Sequence, residues 1–550
     1  MKHIIVAPWG NPYTWSPITY KIKVNGKEIT VSNAKTSLAC LNEVFKPDMT
    51  LLLIPETLSC PGIKYEGKFR KHGGLLPSEK LESSYDIYQA TNNYREVVRN
   101  LRRAIEELYS EWVKKNSCTT EVIIVPNVGR YLCSSNKETK TVEVWWRIGI
   151  EKVDPISAYA AYTLLSIITA IIKISSKSKI NSLRLILDTT HGINYMPVAA
   201  YRATIVATRM ISTMLNTPVE FLQYNSEPVI GELSENTIRN IHLVRREYIT
   251  PSKAAQRIVY SYLVRDAGHA RLFHRSRELP IEFHKRLREK ENMFRKLISL
   301  HSDIHAEALA ASIHFSMPLT FLQTAYELQT TYGDVLHLIP EVQSLLTELL
   351  TWVMVSGNDD MLNITHLILP NYDDIKSLLA ITSLAMYGVN ALNYSKQSKM
   401  LDIAIRNNIV EASLESLDKI CNMYLKGPFS LVANNELGNF ESIFSGRRKL
   451  ADRLTDLIQG AKRNPEKWFS VDPRGCEDQP RIMVAHAGLA SRSIEIKVED
   501  DILYVRYKES CLSQATSNNV YNILKHALNS TRNLIKGQRG REEEKAKYQI

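Results

Sequence analysis

Near the C-terminus, Arg481 and His486 stand five residues apart in QPRIMVAHAGLAS. This pair of residue types can cut RNA without a metal. The imidazole takes the proton from a ribose 2′-hydroxyl or protonates the leaving 5′-oxygen, while the planar guanidinium holds two oxygens of the pentacovalent phosphate. Five residues turn through about 140° on a helix, which sets the two groups on different faces. They converge only if Arg481 reaches round, or if a second copy of the chain completes the site across a two-fold axis. The alternative is a surface helix with an exposed arginine and a half-buried histidine.

A second cluster follows the apolar run Ser182 to Leu187, which leads into Asp188-Thr189-Thr190-His191-Gly192-Ile193-Asn194-Tyr195 before a helix that starts at Pro197. In an open parallel sheet, ligands sit beyond the carboxyl ends of the strands. The hydroxyls, imidazole and amide of this turn, with Gly192 allowing close backbone approach, supply donors, and a helix N-terminus adds partial positive charge for a phosphate. The turn after the first strand, Pro8-Trp9-Gly10-Asn11-Pro12, opens onto the same edge. Together they make a pocket for an anionic nucleotide. The competing reading is two ordinary strand-to-helix turns, with Asp188 or Thr189 capping and Gly192 serving geometry. The chain has no GxGxxG and no GxxxxGK[ST], so a standard dinucleotide or ATPase site is not supported. His301 and His305 form an i, i+4 pair without a companion carboxylate triad, expected on an exposed face. His269, His274 and His284 lie among Arg265, Arg271, Arg275, Arg277 and Arg286, a basic stretch that touches RNA or the linker between domains, or is only a solvated face.

These residues need a scaffold, and the hydropathy pattern describes it. Apolar runs at Met1–Trp9, Met49–Pro55, Glu121–Asn127, Ser182–Leu187 and Val219–Tyr224 alternate with helical periodicity at Tyr94–Lys115, after Asp154-Pro155, and at Pro197–Leu215. Strands apolar throughout, joined by amphipathic helices, predict a Rossmann-like α/β domain with a parallel sheet covered on both faces. From about Glu235 the pattern becomes helical, around Ser252–Tyr262, Pro280–Leu300, Val342–Met354 and Leu401–Leu425. No strand candidate of comparable quality follows until Ile494, where alternation on both sides of Asp500-Asp501 predicts a β-hairpin. A helix over Asn518–Ile535 comes next, and then a frayed, charged tail. The expected division is residues 1–230, 231–400 and 401–550.

The 550 residues are too many for one ordinary core. With 44% hydrophobic and 23% charged residues, the composition is that of a globular chain and excludes collagen-like or low-complexity classes. The 69 basic against 58 acidic residues leave a net charge of +11, which favours an anionic partner. Seven scattered cysteines, with no CxxC and no zinc-site spacing, predict a reducing, cytoplasmic environment and no structural metal. The charge-free stretch Ile156–Ile172 carries enough Ser, Thr and Tyr to read as a buried core helix instead of a membrane span.

WGNP after the first strand, DTTHGINYMP after a later one, and a C-terminal RIMVAHAGL occur here in that order. In this the chain resembles the CARF–HEPN ribonucleases, accessory effectors of type III CRISPR systems of the Csx kind. The resemblance implies an N-terminal CARF domain and a mostly α-helical C-terminal HEPN half carrying the hairpin as an added feature. It implies ligand contacts from Gly10, Asn11, Thr189, Thr190, His191, Gly192 and Asn194. It also implies a composite ribonuclease site built from two copies of Arg481 and His486 in a homodimer or higher homo-oligomer. The activator would be cyclic tetra-adenylate, with cyclic hexa-adenylate as the other ring size. The substrate would be single-stranded RNA, with no cofactor, metal or membrane required. The other reading is a ring-sensing module that cuts nothing. Ile482 departs from the family pattern, which usually has a polar residue after the arginine.

Overall fold

A computed structural model describes residues 1–12, 15–59, 64–65, 68–69, 94–113, 119–134, 141–151, 153–192, 195–228, 237–263, 270–357, 361–398, 400–446, 452–513, 515 and 518–547. The first part runs β1 (Lys2–Pro8), β2 (Ile18–Val24), β3 (Lys27–Ala34), α1 (Ser37–Phe45), β4 (Met49–Pro55), α2 (Tyr94–Trp112), β5 (Thr119–Val125), β6 (Gly129–Ser134), β7 (Thr141–Ile148), α3 (Pro155–Ser175), β8 (Leu183–Asp188), α4 (Met196–Met214), β9 (Val219–Ser226) and β10 (Ile238–Ile249). Eight of these strands form one sheet in the order β3-β2-β10-β9-β8-β1-β4-β5. Its five core strands, β9-β8-β1-β4-β5, are parallel and coincide with the five apolar runs. All seven residues of β4 are buried, as expected of a strand covered on both faces.

The apolar stretch after Asp154 is α3, capped by the Asp154 carboxylate accepting from the Ser157 N–H, with Pro155 in the first turn. It and α11 (Tyr372–Gln397) are long and apolar enough to cross a bilayer, yet both are largely buried within the protein.

The chain order reverses between β1 and β8. From β1 the chain moves outward to β4 and β5, then returns to place β8 on the other side of β1. That is the topological switch point, where the carboxyl ends of neighbouring strands leave a crevice.

The stretch read as helical from Glu235 contains strands. β10 is twelve residues long and antiparallel to β9, with a largely exposed face whose charged residues hid its alternation. The middle region continues with α5 (Pro251–Leu263), β11 (Phe273–Arg275), α6 (Ile281–Met293), α7 (Arg295–Leu300), α8 (Ile304–His314), α9 (Pro318–Tyr332), α10 (Leu338–Leu349), β12 (Val353–Gly357), β13 (Met361–His366), β14 (Ile368–Pro370) and then α11. The helix expected over Val342–Met354 therefore ends at Leu349 and gives way to β12. β13 pairs in parallel with β7, so strands from the two regions share one four-stranded sheet. α11 packs on α4, α5, α8 and α9, fastening the middle region to the N-terminal domain.

The C-terminal part comprises β15 (Ile403–Arg406), β16 (Ile409–Ser413), α12 (Leu414–Tyr424), α13 (Ser430–Phe444), α14 (Asp452–Arg463), β17 (Phe469–Ser470), α15 (Pro480–Ala485), β18 (Ile494–Glu499), β19 (Ile502–Tyr507), α16 (Glu509–Leu512) and α17 (Val520–Lys547). The window Leu401–Leu425 is a hairpin followed by a helix. Asn407 and Asn408 both have positive φ, 50° and 64°, the conformation that a two-residue turn of matching twist requires. The expected hairpin β18–β19 is present, with Asp500 and Asp501 at φ 49° and 57°. It is no appendage, because it lies within a five-stranded antiparallel sheet, β15-β16-β19-β18-β17. The tail expected to fray is helical as far as Lys547.

Candidate active site and ligand-binding edge

At the switch point the two predicted turns meet. The buried Gly10 donates its N–H to the His191 carbonyl at 2.8 Å, which joins the loop after β1 to the loop after β8. Asp188 ends β8 fully buried, accepting from Ser37 Oγ at 2.6 Å and from the Thr190 N–H at 3.0 Å. Burial nonetheless pushes its carboxyl above the ordinary range. Gly192 is needed for space: a Cβ there would stand 2.6 Å from Pro197 Cγ and 3.3 Å from Pro8 Cγ. Asn11 lies half-buried at this edge, and Asn194 lies outside the described residues.

Three residues read as ligand donors turn their side chains to the fold. Thr189 donates both its N–H and its hydroxyl to the Tyr224 carbonyl, each at 3.0 Å. Thr190 Oγ1 accepts from the Ser226 N–H at 3.1 Å. The His191 ring stacks on Trp15 with centroids 3.9 Å apart, and its Nε2 accepts from the Ser37 N–H at 3.2 Å, with Tyr20 OH 3.3 Å away. Accepting through Nε2 leaves the proton on Nδ1, so the imidazole is neutral. Burial, aided by the charge of Arg239, pushes its pKa down to about 3. The backbone of the parallel strand β9 takes up Thr189 and Thr190, while α1 and Trp15 take up His191. What the turn still presents at the edge is the backbone of Gly192 and the start of α4.

Arg481 and His486 sit at opposite ends of the six-residue α15, and both are exposed. The loop entering α15 is held from below. Buried Glu477 accepts from the backbone N–H groups of Asp478 and Gln479 with one oxygen, each at 3.0 Å. Arg481 has no ion-pair partner among the described residues. His486 caps the helix and places Nδ1 3.2 Å from Glu436 Oε2 on α13. An imidazole that donates Nδ1–H to a carboxylate keeps a lone pair on Nε2, the arrangement of an oriented general base. Glu436 is far from the motif in sequence, and nothing in its surroundings singled it out.

The AHAGL string has a structural reason. Ala487 and Gly488 take positive φ, 47° and 82°, and turn the chain sharply after His486. The Gly488 carbonyl accepts from Tyr507 OH at 2.8 Å, and that hydroxyl also meets Thr320 Oγ1 of α9 at 2.6 Å. The turn after His486 is thus pinned to the middle region through one buried tyrosine.

A buried polar chain starts at the other site. Tyr195, immediately beyond the second loop, hydrogen-bonds Asn127 Oδ1. The Asn127 N–H donates to Glu56 Oε1 at 3.0 Å, and the same oxygen meets His366 Nε2 at 2.6 Å. Glu56 and His366 are both wholly buried, and His366 belongs to β13, so this chain crosses from the N-terminal sheet into the middle region.

Other sequence candidates fare differently. His301 caps the end of α7 and His305 lies in the first turn of α8, and both are packed inward, contrary to the expected exposed face. His301 Nε2 is 2.9 Å from Ser377 Oγ, and His305 contacts Asp303 and the Tyr521 ring. Cys476 and Cys511 form a disulfide with Cα atoms 5.5 Å apart, a pairing that the scattered spacing of the cysteines did not predict. The pairing is across the fold, where a search for CxxC spacing has no reach. Cys40 and Cys421 are free and buried. Among the described residues, no three His, Cys, Asp or Glu side chains gather as a metal site would need.

Residues 4–228 match the family model described as the CARF domain of the CRISPR system endoribonuclease Csx1, and residues 405–509 match that of its HEPN domain. The CRISPR system endoribonuclease Csx1 of Methanocaldococcus jannaschii is 27% identical over 322 residues. That alignment covers 58% of this chain and 55% of the relative, so it spans about half of the relative's length. Among solved structures, Enterococcus italicus Csm6 bound to cyclic hexa-2′-fluoro-hexa-dAMP is 10% identical, covers 89% of this chain and 92% of its own, and has a TM-score of 0.21. With a CARF-type sheet at one end, an Arg-x4-His helix at the other and both domain models matched in order, the chain belongs to the Csx1 family of CARF–HEPN CRISPR proteins.

Proposed function

We propose that this protein is a homodimeric, metal-independent endoribonuclease of CRISPR antiviral defence, cytoplasmic, cleaving single-stranded RNA when cyclic tetra-adenylate binds its CARF domains. The observation that carries the proposal is the exposed Arg481 on the same short helix as His486, whose Nδ1 faces Glu436.

The chemistry follows from those groups. Nε2 of His486 removes the proton from a ribose 2′-hydroxyl, and the freed oxygen attacks the adjacent phosphorus. Charge builds on the phosphoryl oxygens, where Arg481 stabilises it with two parallel N–H donors. The bond from phosphorus to the 5′-oxygen breaks as His486 of a second copy gives that oxygen a proton. The products are a 2′,3′-cyclic phosphate and a 5′-hydroxyl. A two-fold axis supplies both imidazoles and answers the 140° turn between Arg481 and His486 on one helix.

The switch-point crevice supports the activator reading. A ring of four nucleotides shares the two-fold symmetry of a dimer and contacts both copies alike. It activates only by binding the competent arrangement more tightly than the resting one. The buried chain from Tyr195 to His366 and the Tyr507 pin at Gly488 are the physical contacts such a rearrangement would act through.

The test is cleavage of single-stranded RNA in excess EDTA, with and without the ring, by the wild-type chain and by His486→Ala. Ring-dependent cleavage that the substitution abolishes is expected. Activity that needs a divalent cation, or that survives His486→Ala, rejects the mechanism. Tight ring binding without any cleavage favours the sensor reading.

A further inference from the structure

A cleft of about 560 Å³ lies between the strand around β11 and helices α6 and α7, and its lining shares no residue with either site described above. Four arginines line it: Arg271 and Arg275 from the strand side, Arg288 and Arg295 from the helices. All four are exposed. Among the described residues, the one carboxylate in the lining, Glu291, is already paired with Arg275. Arg295 reaches Asn292 Oδ1 at 3.1 Å. Neither Arg271 nor Arg288 has an ion-pair partner among the described residues. Asp374, beside the cleft, accepts the backbone N–H of Arg271 at 2.8 Å and the Asn371 amide.

Crowding guanidinium groups in one concavity costs electrostatic energy, and a concave wall focuses their field on whatever enters. An anion offsets that cost. The cations are all arginine, whose planar fork matches two non-bridging phosphate oxygens, where lysine would offer a point charge. The volume is that of a pocket able to take a ligand of nucleotide size, and the cleft walls hold arginines on both sides, suiting a chain that passes between them.

We infer that this cleft is a phosphodiester-binding site that holds single-stranded RNA by its backbone, apart from the cleavage site. The inference rests on RNA being the substrate class of the proposed function. It assigns a role to the arginine-rich stretch of the middle region that the two motifs leave unused.

The experiment measures binding, with cleavage disabled. In the full-length His486→Ala protein, a fluorescent single-stranded RNA is titrated at several salt concentrations. The same is done after adding Arg271→Glu with Arg288→Glu, and after adding the control pair Lys177→Glu with Lys179→Glu, exposed lysines on the N-terminal domain. Loss of two phosphate contacts flattens the slope of log affinity against log salt by about 1.4. The expected result is that flattening, with affinity at least about tenfold weaker, in the arginine pair alone. An arginine-to-lysine version of the pair, folded to the same extent by circular dichroism, restores the salt slope but only part of the affinity, because it returns the charge without the fork. Unchanged affinity and slope in the arginine pair, or an equal loss in the lysine pair, overturns the inference. Ring-dependent cleavage by the wild-type chain is scored separately. If cleavage is present while the arginine pair binds normally, the function stands and this site falls. If no form cleaves yet the arginine pair loses binding, the site stands and the function falls.

Discussion

Replacing Gly488 by alanine should damage both the stability of the C-terminal domain and its chemistry, and the structure gives the size of the effect. The backbone at this position has φ +82°, a conformation that costs an L-residue about 1–2 kcal/mol. The added Cβ would stand 2.8 Å from Thr320 Oγ1, 3.0 Å from Tyr507 OH and 3.3 Å from Met317 Cβ. All three neighbours are buried, and two of them hold the hydrogen bonds that pin this turn, so relief means moving the turn; such overpacking costs about 1–3 kcal/mol. The expected loss is about 2–5 kcal/mol. Because Gly488 is two residues beyond His486, a turn displaced by about 1 Å lowers cleavage by about 100-fold even where the protein stays folded. Gly446 supplies the control: its φ is +73°, but a Cβ there meets nothing within 4 Å, so its alanine variant carries only the backbone cost. Urea unfolding of both variants, with cleavage assayed well below either transition, separates strain from clash. If Gly488→Ala loses no more stability than Gly446→Ala and cleaves normally, the claim that this turn positions His486 is wrong.

Further outcomes follow from other contacts. Glu436→Ala should slow cleavage by about 100-fold with RNA binding unchanged, and Glu436→Gln, which can still accept from Nδ1, by less; single-turnover rates beside binding isotherms check this, and equal slowing by both variants would deny the acceptor its role. His191 has its folded pKa near 3 against an ordinary 6.5, so between those pH values the unfolded chain binds the extra proton and stability falls as pH falls. Asp188, with its pKa raised, acts in the opposite sense, so the acid sensitivity of the wild type should be compared with that of His191→Gln, in which the His191 part of the slope disappears. The disulfide from Cys476 to Cys511 closes a separation of 35 residues, and its removal in a Cys511→Ser variant should cost about 4 kcal/mol on chain-entropy grounds, read as a lower denaturation midpoint. An unchanged midpoint would mean that the bridge does not form in solution.

Much of the N-terminal domain was legible because its physics is local. Five runs apolar on both faces can only be core strands, and Asp154-Pro155 marks a helix start by its own chemistry. The errors lie where a pattern has two readings. β10 carries charge on an open face and so lacks a clean alternation. β15 and β16 are short, and their Asn407-Asn408 turn is a weaker sign than Asn-Gly, so the helix beyond them absorbed them. At the sites, Arg481 and His486 were visible as residue types, and so was the address of the loops after β1 and β8. The inward use of Thr189, Thr190 and His191 was not, since it depends on β9 and α1 arriving from elsewhere in the chain. Glu436, Tyr507 and the Glu56–His366 pair were hidden for the same reason: each acts through a partner at least 19 residues away along the chain.

The most direct measurement of the central claim is the chemical identity of the ends left on RNA cut by the ring-activated protein in excess EDTA. Attack by the 2′-oxygen through Arg481 and His486 predicts a 2′,3′-cyclic phosphate on one fragment and a 5′-hydroxyl on the other. Fragments ending in a 5′-phosphate and a free 3′-hydroxyl would mean that water, and not the neighbouring ribose, breaks the bond, and would contradict the account.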